Sequence, residues 1–272
     1  MSQTELVKQH YLEQARTLGT DPESTMPDHI VRSREIEAIM ATLSAIAGEK
    51  GSLKLLEIGC GNGTLLDHLH RAGYRNVIGV DFLPEFVDLA KSRGLPFDVR
   101  VADICNLPFG DAEFDVVLSE RVIINVKDRE AQRRAFQQVR RVLKEGGYLV
   151  MIEALEDGWH NLNAARNDFG LEPIPMPSQN RWFKAGELED YTRGILSEVS
   201  QIQDSAVTPR NFLSSHYFMT RVVHALLWEL RKSCPDRFEG PVRNTHFAQF
   251  FASALPPVGN YAPVQFVCMK AV

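Results

Sequence analysis

The chain has 272 residues, 44% hydrophobic and 24% charged, with a net charge of −5, which suits one large domain or one domain carrying an insertion or cap. Its longest apolar runs, such as 148–152, are far too short to span a bilayer, and its first residues do not read as a signal peptide, so the expected location is cytoplasmic. The four cysteines, Cys60, Cys105, Cys234 and Cys268, form no C-x-x-C pair, which argues against a zinc site or a disulfide framework, and the acidic balance argues against a nucleic-acid partner.

In chain order, helices are expected over 4–17 and about 28–47, joined by a loop over 21–26, with Asp28 as the N-cap of the second helix. An apolar strand follows over 53–58. It runs into Gly59-Cys60-Gly61-Asn62-Gly63, a turn that opens a helix ending near Ala72. A second strand, 77–81, ends in Asp81, about 20 residues past the glycines, where a carboxylate can accept from ribose hydroxyls. A third, 97–102, ends at Asp103, and a fourth covers 114–119. A helix ending at Arg141-Val142 and a Gly146-Gly147 turn lead to a fifth strand, 148–152. Segment 154–183, with Pro173, Pro175 and Pro177, reads as loop. A short helix over 186–194, a strand over 195–203, a helical stretch over 212–233 and a terminal strand over 261–270 complete the pattern. Alternating strands and helices imply a mainly parallel sheet with right-handed crossovers.

The glycines read G-x-G-x-G behind Glu57, whereas the dinucleotide fingerprint is G-x-G-x-x-G. With Asp81 and the Asp103-Ile104 turn at their spacing, this resembles motif I and the following motifs of class I S-adenosylmethionine (SAM)-dependent methyltransferases. The resemblance is strong over 51–153 and weak on the flanks. It implies an α/β, Rossmann-like, seven-stranded, mainly parallel sheet with helices on both faces, whose last strand is antiparallel and inserted between two others. It implies SAM as cofactor and S-adenosylhomocysteine (SAH) as product. Glu57, Gly59, Cys60, Gly61 and Gly63 would hold the methionine portion, with Cys60 there as a small side chain and not a reactive thiol. Asp81 would hold the ribose and Asp103 with Ile104 the adenine. Phe82 and Ser119 complete the expected cofactor contacts. Arg32 would pair either with the cofactor carboxylate or with Asp28 one helical turn away.

The division that follows is an N-terminal helical cap (1–50), a SAM-binding core (51–153), a substrate-binding cap with a late strand (154–260), and a terminal strand of the core sheet (261–272). On the acceptor side, Glu120, Glu153 and His160 are the candidate catalytic groups. Arg121, Asn161, Arg166, Asn180 and Trp182 are the candidate substrate contacts; an ion pair closing the strand end is an equal reading of Glu120 and Arg121. The Glu153…Asn161…Arg166 pattern and Asp28-(x)3-Arg32-(x)2-Glu35 resemble methyltransferases of surface-polysaccharide and small-molecule biosynthesis, although Gln179 stands where a histidine commonly precedes the Asn180 position. The Asn/Asp-Pro-Pro-aromatic motif of base-amino methylation is missing. The expected acceptor is therefore an oxygen or nitrogen of a small molecule or glycan. A protein or RNA methyltransferase and a SAM-binding protein without turnover are the alternatives. No metal ligand set is apparent, and a homodimer is compatible with the sequence.

Overall fold

A computed structural model describes residues 3–21, 28–47, 50–232 and 245–272. The elements in order are α1 (Gln3–Leu18), α2 (His29–Ile46), β1 (Lys54–Ile58), α3 (Thr64–Arg71), β2 (Asn76–Asp81), α4 (Pro84–Ser92), β3 (Asp98–Val101) and β4 (Phe114–Glu120). Then come α5 (Arg129–Val142), β5 (Leu143–Ala154), α6 (Glu156–Asp168), α7 (Glu187–Thr192), β6 (Leu196–Glu198) and the small hairpin β7 (Gln201–Ile202) and β8 (Ser205–Ala206). Helix α8 (Ser214–Phe218), a π-helical turn (Met219–Val223), α9 (His224–Lys232), α10 (His246–Ala254) and β9 (Val264–Ala271) close the chain.

Seven strands form one sheet in the order β3-β2-β1-β4-β5-β9-β6. Strands β1 to β5 are parallel, and β9 runs antiparallel between β5 and β6. This is the expected Rossmann-like, seven-stranded architecture. Register places Ile58 beside both Val80 and Ser119, so the carboxyl ends of β1, β2 and β4 finish at one level. In such sheets that edge, where the strand order reverses, is where ligands bind.

The sheet is apolar on both faces, as parallel sheets must be when helices cover both sides. Along β4, Val117 belongs to the layer under α5, with Phe136 and Val139. Its neighbours Val116 and Leu118 belong to the opposite layer, with Ile39 and Leu43 of α2 and Leu65 and Leu69 of α3. The alternation follows from the two-residue period of a strand.

Several elements differ from expectation. Residues 156–168 form a 13-residue helix, α6, within the segment read as loop; only 169–183 is irregular. Its Asn-rich, Gly-containing sequence has low helix propensity. Tertiary contacts hold it instead: Trp159 Nε1 donates to the Ile174 carbonyl at 2.7 Å, and Asn163 bonds the Ile174 amide at 2.8 Å. Gly158 is required there because a Cβ would lie 1.9 Å from the Ala262 carbonyl oxygen. Strand β5 begins at Leu143, directly after α5, and Gly146 (φ 71°) lies within the strand rather than in a separate turn. The strand expected over 195–203 is split into β6 and β7, and α10 has no counterpart among the expected elements. Most of the 21–26 loop lies outside the described residues. Asp28 is the N-cap of α2, its carboxylate accepting from the Val31 amide at 3.2 Å.

Candidate active site

The turn after β1 is held by backbone bonds to the neighbouring strand: the amides of Gly59 and Cys60 donate to the Val80 carbonyl at 2.7 and 2.9 Å. Gly59 has φ 72°, and a Cβ there would meet Val122 Cγ2 at 2.3 Å, so only glycine fits. Asp81, at the tip of β2, is buried. Its two oxygens accept from the Gly61 and Leu83 amides, each at 2.9 Å. Burial pushes its carboxyl up to about 6 against the pull of these donors.

Above this turn lies a cavity of about 520 Å³. Glu57, Gly59, Cys60, Gly61, Asp81 and Phe82 line it from β1 and β2. Asp103 and Ile104 line it from the turn after β3, where Asp103 Oδ1 accepts from the Cys105 amide at 2.8 Å. Helix α1 forms the roof with Lys8 and Tyr11. Tyr11 stacks edge-on with Phe86 of α4 (6.4 Å between centroids), and Lys8 sits 4.7 Å over the Phe82 ring. The residues after α1 are tied to the glycine loop: Asn62 Nδ2 donates to the Asp21 carbonyl at 2.8 Å, and Arg93 to that of Thr20 at 2.7 Å.

The remaining wall carries a buried ion network. Glu120 Oε1 accepts from Arg32 of α2 and from Arg121, the latter at 2.6 Å. Arg121 also donates to Glu35 of α2 and is held at φ 53°, a conformation uncommon for a bulky residue. Arg32 thus pairs with Glu120 and not with Asp28, whose side chain bonds Arg221 of the π-helical turn at 2.6 Å. Burial would raise the Glu120 carboxyl, but the two arginines outweigh it and hold it below the ordinary range. Glu35 is pushed up to about 7, by burial first, with Glu120 adding to the effect and Arg121 opposing it. Glu57 is raised well above the ordinary carboxylate value by burial, with Glu120 contributing.

The other sequence candidates lie off the cavity. Glu153 is fully buried, and its carboxylate accepts from the amides of Val122 (3.0 Å), Ile123 (2.8 Å) and Ile124 (3.3 Å) and from Ser119 Oγ (3.3 Å). It ties the end of β5 to the turn after β4, and Ser119 faces it. Gly63 caps α3 against Ala90. His160 is exposed, 3.8 Å from Glu156. Asn161 donates to the Asn260 carbonyl at 3.0 Å, and Arg166 to those of Glu172 (2.8 Å) and Arg221. Trp182 is buried edge-on to Trp159. Asn180 stands one layer back: its Nδ2 donates at 2.7 Å to Asn125 Oδ1, and Asn125 does line the cavity. Tyr11 Oη donates to the same Asn125 oxygen at 3.3 Å. Tyr11, Lys8 and Asn125 belong to no motif in the sequence. The one available signal was an aromatic residue in the polar first helix.

The chemistry of this cavity fits SAM. Glu57 Oε2 is buried without a hydrogen-bond partner, an acceptor awaiting a cation such as the cofactor's ammonium. Asp81 has lone pairs left for the ribose hydroxyls. Sheet order, glycine turn and these acids together are those of the Rossmann-like fold of class I SAM-dependent methyltransferases. Residues 56–151 match the family described as a methyltransferase domain.

Among known proteins, the chain is 37% identical over 101 residues to the bovine probable tRNA methyltransferase 9B, covering 37% of this chain and 21% of that protein. It is 29% identical over 143 residues to the O-methyltransferase cnsE of Penicillium expansum, covering 50% of this chain and 49% of that one. The crystal structure of a SAM-dependent methyltransferase from Mesorhizobium loti shares the fold, with a TM-score of 0.54, 17% identity, and coverage of 86% and 97% of the two chains. The chain spans half or less of the length of such curated relatives. No described helix is long and apolar enough to cross a membrane.

Proposed function

We propose that this protein transfers the methyl group of SAM to an oxygen or nitrogen of a small-molecule or glycan acceptor. The observation that carries the small acceptor is the roof: α1 lies over a cavity of about 520 Å³, a size that holds small ligands, and narrows the space beside the cofactor groups. When bound, SAM supplies an electrophilic methyl on a sulfonium, a good leaving group. The chain's part is then to bind, orient and exclude water. Glu57 and the Gly59–Gly61 backbone hold the methionine end, Asp81 the ribose, and Asp103 with Ile104 the adenine. Arg32, held in place by Glu120, meets the cofactor carboxylate.

Tyr11, Asn125 and Glu120 face what remains of the cavity and form the acceptor side. Asn125 is held rigidly by Asn180 and by its own bond to the Arg121 carbonyl at 2.7 Å. Glu120 is tied to two arginines and acts as an electrostatic anchor, not as the proton acceptor. Similarity to an O-methyltransferase over half the chain supports an oxygen acceptor; similarity to a probable tRNA methyltransferase over a shorter segment is the reason to test the rival. The test incubates purified protein and methyl-labelled SAM with fractionated lysate. Label in a small-molecule or glycan fraction is expected. Label in RNA or protein, or none despite SAM binding, defeats the proposal.

A further inference from the structure

Behind the cavity wall sits a carboxylate that nothing above uses. Glu35 of α2 has a side chain 0% exposed. One oxygen takes a bond from Arg121, and the other, Oε2, is buried without a partner. Glu35 and Arg32 lie one turn apart on α2, and Glu120 and Arg121 are adjacent at the tip of β4. Each arginine thus pairs with a glutamate of the other segment. Glu120 and Arg121 are also bonded to each other, so the four groups share charge.

The buried acidic and basic groups around the cavity are unequal in number. Four carboxylates, Glu35, Glu57, Asp81 and Glu120, face two guanidiniums, Arg32 and Arg121, and all six side chains are at least four-fifths buried. With Glu35 matching Arg121 and Glu120 matching Arg32, Glu57 and Asp81 are left over. A site of this kind favours a cationic occupant. SAM and SAH differ by one methyl group and one unit of charge: SAM carries a sulfonium, and SAH a neutral thioether.

We propose that Glu35, without touching the ligand, is a specificity-determining residue that makes the cavity prefer the sulfonium cofactor over its thioether product. Without its charge, that of Arg121 is uncompensated in a low-dielectric wall, and the field at the cavity moves one unit toward positive. SAM then loses affinity, while neutral SAH loses little. Discrimination of this kind favours exchange of product for fresh cofactor after each transfer. This inference rests on the methyl-transfer reading above.

The affinities of SAM and SAH for wild type and three variants, by titration calorimetry at low salt and at about pH 8.5, where Glu35 is ionised, test it. The quantity read is the ratio of the two affinities, because damage to packing or hydrogen bonding lowers both and cancels. In Glu35→Gln the SAM preference is expected to fall by about tenfold. Glu35→Asp keeps the charge and is expected to hold the ratio within about twofold. Arg121→Gln changes the charge in the opposite sense and is expected to raise the ratio, a sign test that stands even if Glu35→Gln does not fold. An unchanged ratio in Glu35→Gln, an equal fall in Glu35→Asp, or a fall in Arg121→Gln overturns the proposal. Wild type that binds neither ligand removes the cofactor reading itself, a result distinct from binding both without the charge effect.

Discussion

Asp81 accepts the Gly61 amide at 2.9 Å, so the carboxylate at the tip of β2 fastens the glycine turn that leaves β1. Its second oxygen fastens Leu83, at the start of α4, at the same distance. The residue that would grip the ribose thus also shapes the loop that grips the methionine end. Asp81→Ala strands two amides and removes the ribose acceptor together. SAM affinity is expected to fall by about 100-fold, the equivalent of about 2.7 kcal/mol. Calorimetric titration reads this directly, and a dissociation constant within twofold of wild type would remove Asp81 from the cofactor site.

Glu153 makes a different prediction from the one its place at the end of β5 suggests. Its carboxylate satisfies three successive amides in the turn carrying Val122 and Asn125. Glu153→Ala leaves these buried donors unpaired and is expected to cost about 3 kcal/mol of folding stability. Urea denaturation measures it. A variant as stable as wild type would mean that the turn does not depend on this residue.

The contrast between these two acids marks how far the sequence was legible. The cofactor half is local: strand, glycine turn and Asp81 are contiguous or regularly spaced, and the backbone demands on Gly59 leave a mark in residue type. The acceptor half is not. Proximity to β5 pointed to Glu153, His160, Asn161 and Arg166, yet the cavity takes its remaining groups from α1 and from the turn after β4. Tyr11 and Asn125 are 114 residues apart in the chain, a separation over which no periodicity speaks. Helix α6 was hidden for a related reason: bonds from Trp159 and Asn163 to Ile174 hold it, not propensity.

Buried carboxylates also give a pH dependence with a definite sign. Asp81 is pushed up to about 6, and Glu35 and Glu153 to about 7, chiefly by burial. All three bind protons more tightly folded than unfolded. Their contribution to stability is therefore complete below the ordinary carboxylate range and is lost as pH rises through 6 to 7. The melting temperature of the ligand-free protein is expected to fall between pH 5 and 8. A cationic ligand reverses the penalty at Asp81 and Glu35, so the added stabilisation by SAM should grow over the same window. Thermal melts with and without SAM at constant ionic strength test both trends. A SAM shift independent of pH would speak against these acids as its electrostatic partners.

The roof gives the remaining prediction. Helix α1 is held to α4 by a small apolar cluster of Ala15, Leu83 and Phe86 with Tyr11 packed against it, and to the turn after β4 by the Tyr11–Asn125 bond. Few apolar contacts mean a low local opening free energy, the property needed of an element that must part to admit a ligand. Tyr11→Ala removes the ring from Phe86 and the hydroxyl from Asn125, leaving the sheet core untouched. Dissociation of SAH is expected to quicken by about tenfold, with about 2 kcal/mol lost from global stability, since a part-buried hydrogen bond and one ring contact are worth about 1 kcal/mol each. Tyr11→Phe keeps the ring and should fall between Tyr11→Ala and wild type. Stopped-flow measurement of the off-rate separates this from a purely structural role: a variant that melts earlier but releases SAH at the wild-type rate would show that α1 does not govern the way out.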